Sequence, residues 1–397
     1  MTSMRFLAAC LLVAVASTCS GDPMWIGTYT GGEAGSEGIY VADFDPATGR
    51  LSEPRLAAKA KNPSFLAAHP TRPVLFAVSE VSDADGKPGG AIAALAIDEA
   101  TGELKEINTQ PSGGTGPCHV SIDVPQNLVL AANYGSGSVA CFRIADDGSL
   151  EPAAAGSPGG FLQHPAREGE EEGVNAGRQE GPHAHSIYPS PGGKFVIACD
   201  LGLDTLFVHA LDAKRGTLDF HSKVKLPPGS GPRHFSLHSC TRYGYVVNEM
   251  ALTVTFLGYD ATNGEFTPEQ TISTLPDDVT DRQGFSTAEV ICHPAGIALF
   301  ASNRGHDSIA MYTVDRYTGR LTFRGVTPIG GKTPRGFTVD PSGRYLVVAG
   351  QDSNTITVFS IDFAQGTLTS TGQTISAPKP VCLAFRPPVF DADTGKP

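Results

Sequence analysis

Residues 231–253, GPRHFSLHSCTRYGYVVNEMALT, decide how the chain is to be read. Residues 234–238 alternate between apolar and polar. A polar turn follows at 239–242, a second alternating run covers 243–248, and after a break at 250–252 a third begins at Thr253. Period-two alternation over runs this short, rich in aromatic and β-branched residues, predicts antiparallel strands joined by tight turns. With Arg233 at the mouth of the first strand, the chain runs down, turns and returns. Glu249, sixteen residues later, therefore arrives at the same sheet edge as Arg233.

The rest of the chain repeats this plan. An Asp-led turn closing on Gly and then Leu or Phe recurs as DPATGRL (45–51), DEATGEL (98–104), DDGSL (146–150), DAKRGTL (212–218), DATNGEF (260–266), DRYTGRL (315–321) and DFAQGTL (362–368). Asp opens such a turn by accepting its own backbone N–H groups, and Gly supplies the positive φ that closes it. Copies at intervals of roughly fifty residues match the period of propeller blades. A second marker, a strand headed by proline, starts at Pro63, Pro117, Pro182, Pro232, Pro334 and Pro380, with Thr287 in the equivalent place. Residues 25–51 carry the late part of a unit without its proline-headed strand, and 380–386 are such a strand with nothing after it. Joined, they complete a seventh unit. The expected fold is all-β, a seven-bladed β-propeller whose last blade is closed by strands from both termini, which leaves no open sheet edge in the ring.

The composition agrees with this plan. Among 397 residues there are 46 Gly and 30 Pro, and no long amphipathic helical window appears, as suits a turn-rich β protein. A single propeller domain is expected over 24–397, interrupted by an insertion at about 156–181 with no strand pattern, either a solvated loop or a flap over the ring mouth. Residues 1–23 read as a secretory signal: Arg5, an apolar core at 6–16, and small residues at Ala14, Ala16 and Ser17. That core is too short to span a bilayer. The expected location is periplasmic or extracellular, whereas a true start at Met24 would make the protein cytoplasmic. The net charge of −12 argues against nucleic acid and anionic membrane surfaces as partners, while leaving room for a small anionic lactone or sugar. Oligomeric state is left open. Six cysteines beyond the leader (Cys118, Cys141, Cys199, Cys240, Cys292 and Cys382) show no CxxC or metal-ligand spacing and read as packing residues, with disulfides not excluded. The carboxylates do not cluster, so neither metal nor cofactor is expected.

In a propeller, residues just ahead of each blade's first strand and just after its second ring one mouth of the central channel. Here those positions concentrate His, Arg, Glu and Asn. His183, Arg233, Glu249 and Arg304 belong to three successive blades and can converge, and a rim carboxylate between two guanidiniums can bind an anion or act as a base. His119, His185, Asn303 and Arg335 share the rim and are placed as substrate contacts, although lone rim histidines such as His119 and His234 commonly serve as hydrogen-bonded struts. Asp204, Asp307 and Asp352 read as turn formers, and His69, His238 and His293 as turn-closing residues at the opposite end.

The motifs WIGTYTGG (25–32), NPSFLAAHP (62–70), GPHAHS (181–186), GPRH (231–234), VNE (247–249), SNRGHDS (302–308) and PRGFTVDPSGRYLVVAGQDS (334–353) resemble the lactonase family of seven-bladed propellers. That family includes the propeller-type 6-phosphogluconolactonase and the carboxy-cis,cis-muconate lactonizing enzyme. The resemblance implies a hydrolase opening 6-phosphogluconolactone to 6-phosphogluconate. It places a catalytic His, two Arg and a Glu on His183, Arg233, Arg304 and Glu249, with His185 in reserve for His183. Glu249 or His183 would be the base on water, and the arginines would hold the oxyanion and the substrate's phosphate. A muconate-type lactonizing activity and a non-catalytic exported binding propeller are the alternatives.

Overall fold

A computed structural model describes residues 21–32, 35–84, 87–152, 160–166 and 173–387. Every regular element among them is a strand. Seven antiparallel sheets form the ring, with innermost strands Leu66–Ala68, Pro117–Asp123, Ala184–Pro189, Pro232–Leu237, Ser286–Cys292, Pro334–Val339 and Pro380–Phe385, which number blades 1 to 7. These strands pack side by side around the channel. Blade 4 runs outward through Tyr243–Asn248 and Thr253–Asp260 to Glu265–Ser273. Its first pair has the register read from the opening stretch, with Pro232 opposite Asn248 and Leu237 opposite Gly244. The seventh blade sets Pro380–Phe385 against Asp22–Thr28, then Gly38–Asp45, so the two ends of the chain share one sheet.

The repeated turn forms as its chemistry requires. In blade 4 Asp260 Oδ1 accepts the Thr262 N–H at 2.8 Å, and the Gly264 N–H donates to the Asp260 carbonyl at 2.8 Å. Gly264 sits at φ +72°, where a Cβ would lie 2.8 Å from the Phe195 ring. Both backbone and neighbour therefore demand glycine.

Between blades the alternating faces interlock. Tyr245, Val247 and Phe256 of blade 4 meet Val290, Leu299 and Tyr312 of blade 5. At the closure Met24, Phe44 and Phe385 join Val347 and Val358 of blade 6. Trp25, fully buried, donates its indole N–H to the Gly102 carbonyl of blade 1 at 2.9 Å. Burial of this kind contributes roughly 1.5–3 kcal/mol per large side chain, and here it holds a strand from one terminus against the first blade.

Several local expectations can be compared with the structure. The first strand begins at Asp22, ahead of residue 24, while the rest of the proposed leader lies outside the described residues. The insertion is not free of strand: Phe161–Gln163 pairs with Ser138, Val139 and Ala140 as the fourth strand of blade 2. Three residues are too few for alternation to register. His238 closes its turn by accepting the Cys240 N–H at 3.0 Å and donating to the Gly296 carbonyl at 2.9 Å, and His293 repeats the arrangement with Ala295 and Gly343. Asp204 does more than form a turn, since its carboxylate accepts the Gly229 and Gly231 N–H groups of the segment leading into blade 4. The six cysteines are unpaired thiols, five of them buried. No helix among the described residues is long and apolar enough to cross a membrane.

One irregularity recurs where it matters. In blades 2, 3, 4 and 6 the register between first and second strands slips at the second position of the first strand, at Cys118, His185, Arg233 and Arg335. Blade 5 slips across Ala288 and Glu289. A bulge of this kind leaves its residue unpaired and re-aims the side chain. Here Cys118, His185, Arg233, Glu289 and Arg335 line the channel's neck or rim cavity.

Candidate active site

At one mouth of the channel lies a cavity of about 230 Å³. Its walls combine bulge residues (Cys118, His185, Arg335) with residues at the ends of second strands (Glu80, Tyr134, Glu249, Arg304) and Arg178 from the insertion. A larger cavity of about 580 Å³ opens at the opposite mouth, among Val120, Ile122, Leu237, Ile291 and Val339. That one lacks the guanidinium cluster, so the smaller cavity is where the convergent polar chemistry sits.

Glu249, its side chain 3% exposed, is held by three arginines. Arg178 Nη2 donates to Oε1 at 2.8 Å, Arg233 Nε lies 3.0 Å from Oε2, and Arg304 Nη2 lies 3.1 Å from Oε2. Arg233 also donates to the Ala288 carbonyl at 2.7 Å and Arg304 to the Thr287 carbonyl at 2.8 Å. Burial alone would push the Glu249 carboxyl up. The charges of Arg304, Arg233 and Arg178 more than offset that and hold it at about 2. Burial, against the pull of Glu249, brings Arg304 down to about 10. The Nε groups of Arg233 and Arg304 are fully buried and make no aligned hydrogen bond, Arg233 Nε facing Glu249 as an ion pair.

A second network crosses the blade closure. Arg335 donates to the Tyr29 hydroxyl at 2.9 Å and lies over its ring, and Tyr29 in turn donates to Glu80 at 2.9 Å. Ser64 also donates to Glu80. At the neck, His234 Nδ1 lies 2.8 Å from Glu289, whose carboxyl burial pushes up to about 7.

The structure brings together Arg233, Glu249 and Arg304, and adds His185 and Arg335. It sets His183 apart. That ring stacks on Tyr134 at 4.5 Å, donates Nδ1–H to the Tyr134 carbonyl at 2.9 Å, and has Nε2 3.0 Å from Glu180. It stands behind Tyr134 and does not line the cavity. His185 does line it, 5.2 Å edge-on from Tyr134, with Nδ1 3.7 Å from the Cys118 sulfur. Burial, then the charges of Arg233, His234 and Arg335, depress its pKa well below the usual imidazole value, so the ring is neutral at physiological pH. His119 lies deeper, packed on Phe65 and Tyr188 and accepting the Ile187 N–H, as a strut does. Asn303 is buried and donates to the Thr274 carbonyl at 3.0 Å, away from the cavity. Neither residue lines the cavity, and each makes hydrogen bonds inside the protein.

Arg178 was missed by sequence reasoning, since it lies in a segment without periodicity. Tyr134 and Glu80 each directly follow a blade's second strand, at the positions that ring the mouth. Among the described residues no group of three or more His, Cys, Asp or Glu is placed to hold a metal ion.

Fold and site together define a seven-bladed propeller with guanidiniums gathered at one mouth of its channel. The chain belongs to the lactonase family: the family model described as "Lactonase, 7-bladed beta-propeller" matches residues 23–385. The 6-phosphogluconolactonase of Bacillus subtilis is 39% identical, over 91% of this chain and 97% of its own length. That of Formosa agariphila is 32% identical, over 87% and 94%. Among solved structures, the periplasmic gluconolactonase of Pseudomonas aeruginosa superposes with a TM-score of 0.82 at 29% identity, covering 92% of this chain and 98% of that one.

Proposed function

We propose that the protein hydrolyses 6-phosphogluconolactone to 6-phosphogluconate. One observation carries the reading: in a chain of net charge −12, the guanidiniums of Arg178, Arg233, Arg304 and Arg335 converge on one mouth. Hydrolysis of a cyclic ester needs water delivered to the carbonyl carbon and donors for the oxyanion that develops on its oxygen. The guanidiniums of Arg304 and Arg335 on the cavity wall suit the second task. For the first, a carboxyl held at about 2 is a weak proton acceptor, and each oxygen of Glu249 already meets a guanidinium. The ring of His183 is engaged at both nitrogens. What supports His185 as the base is placement: its imidazole lines the cavity and is neutral. It offers a lone pair where each Glu249 oxygen is already taken, even though burial and the nearby guanidiniums lower its basicity as well. Glu249 then acts by fixing the arginines. Collapse of the tetrahedral adduct breaks the bond to the ring oxygen, which leaves as the sugar hydroxyl by taking the proton that His185 accepted from water.

The test is acid release from a panel of phosphorylated and plain lactones by purified protein. Hydrolysis of 6-phosphogluconolactone well above its uncatalysed rate is expected, and no acceleration on any lactone would overturn the assignment.

We also propose that the protein is exported. The tripartite pattern in residues 1–23 supports this, as does the Pseudomonas aeruginosa neighbour described as periplasmic. The mature N-terminus, read by sequencing from fractionated cells, is expected between Ser17 and Pro23. A start at Met24 in the cytosol would overturn export. It would also remove the pairings of Asp22 with Phe44 and Pro23 with Asp43.

A further inference from the structure

The three arginines on Glu249 are not equivalent. Arg233 and Arg304 have side chains 3% and 16% exposed, and each is tied to a backbone carbonyl in the first strand of blade 5. Neither can turn toward a ligand without giving up that bond. Arg178 is different: its side chain is 40% exposed, and its guanidinium bonds Glu249 and the Tyr134 hydroxyl, the latter through Nε at 3.1 Å.

The backbone beneath Arg178 is nevertheless anchored. The next residue, Gln179, is fully buried and donates to Asp204 at 2.8 Å and to the Leu201 carbonyl at 3.1 Å. The Arg178 and Gln179 N–H groups close a turn on the Asn175 carbonyl. Thus a fixed stem carries a guanidinium at the solvent edge of the cavity. That group can exchange one carboxylate oxygen for an incoming anion while Glu249 keeps both buried partners. A lactone entering with its carbonyl toward His185 and Arg304 leaves its far end at this edge. A phosphate there meets a planar two-pronged donor.

Resting on the lactonase reading, we propose that Arg178 recognises the substrate's phosphate and makes the enzyme prefer phosphorylated over plain sugar lactones. The experiment compares kcat/KM for 6-phosphogluconolactone and glucono-δ-lactone in the wild type, Arg178→Lys and Arg178→Gln. Thermal melts establish that the variants are folded. The preference for the phosphorylated substrate is expected to fall about 10- to 100-fold in Arg178→Gln, as befits loss of a charged hydrogen bond, mainly through KM, with Arg178→Lys intermediate. An equal fall on both substrates, or an unchanged ratio, would overturn the proposal. Calorimetric binding of 6-phosphogluconate and of gluconate provides a readout independent of turnover. Arg178→Gln should weaken the first at least tenfold more than the second, and equal weakening would overturn the proposal even if the wild type opened no lactone. Wild-type inactivity by itself counts against the lactonase reading alone.

Discussion

Glu249→Gln is expected to lower stability and turnover together. The substitution is nearly isosteric but leaves Arg178, Arg233 and Arg304 facing one another without the charge that holds them. Removing one member of a buried ion pair costs roughly 3–5 kcal/mol, which denaturant titration will measure. Turnover per folded molecule should fall at least about 10²-fold, the scale for disrupting oxyanion donors. KM should rise as well, because the same guanidiniums bind the substrate. A loss confined to kcat, with KM and stability preserved, would return Glu249 to the role of base. The pH dependence adds a second check. The folded-state carboxyl titrates at about 2, below its ordinary value of 4.5. Its contribution to stability is therefore complete above about pH 4.5 and is lost as pH falls toward 2. The shift corresponds to about 3 kcal/mol. Glu249→Gln should lack this component of acid destabilisation.

His185→Gln is expected to give the largest selective loss of rate. If the neutral imidazole takes the proton from water, kcat should fall about 10²- to 10⁴-fold while KM changes little. Because burial and the neighbouring arginines keep His185 unprotonated well below the usual imidazole value, the wild-type kcat profile should show no acid limb near pH 6.5. His183→Gln serves as the contrast. Its ring lies behind Tyr134, so the effect should be tenfold or less. If His183→Gln proves crippling and His185→Gln mild, the assignments are reversed.

The sequence by itself determined the ring. The Asp–Gly turns are legible because their chemistry is local, each Asp accepting N–H groups two or three residues ahead. Blade alternation is legible because each strand buries one face against its neighbour. The closure followed from the phase of the repeat at the two ends. Even the meeting of Arg233 and Glu249 could be read, since a hairpin converts sixteen residues of sequence into one edge of a sheet. What the tertiary structure decided is which rim residues face the cavity. The choice between His183 and His185 turns on a bulge, one extra residue measured against the partner strand, and nothing in GPHAHS states how its partner pairs. The same slip turns Cys118 and Arg335 inward. Asn303, at a position that looked equivalent, spends its amide on its own blade and the loop beside it. Arg178 reached Glu249 from a segment with no repeating pattern, across 71 residues of chain. Period-two alternation tells only which face of a strand is buried. Where a side chain points at the channel mouth depends on pairing and packing between blades, and those contacts exist only once the ring has closed.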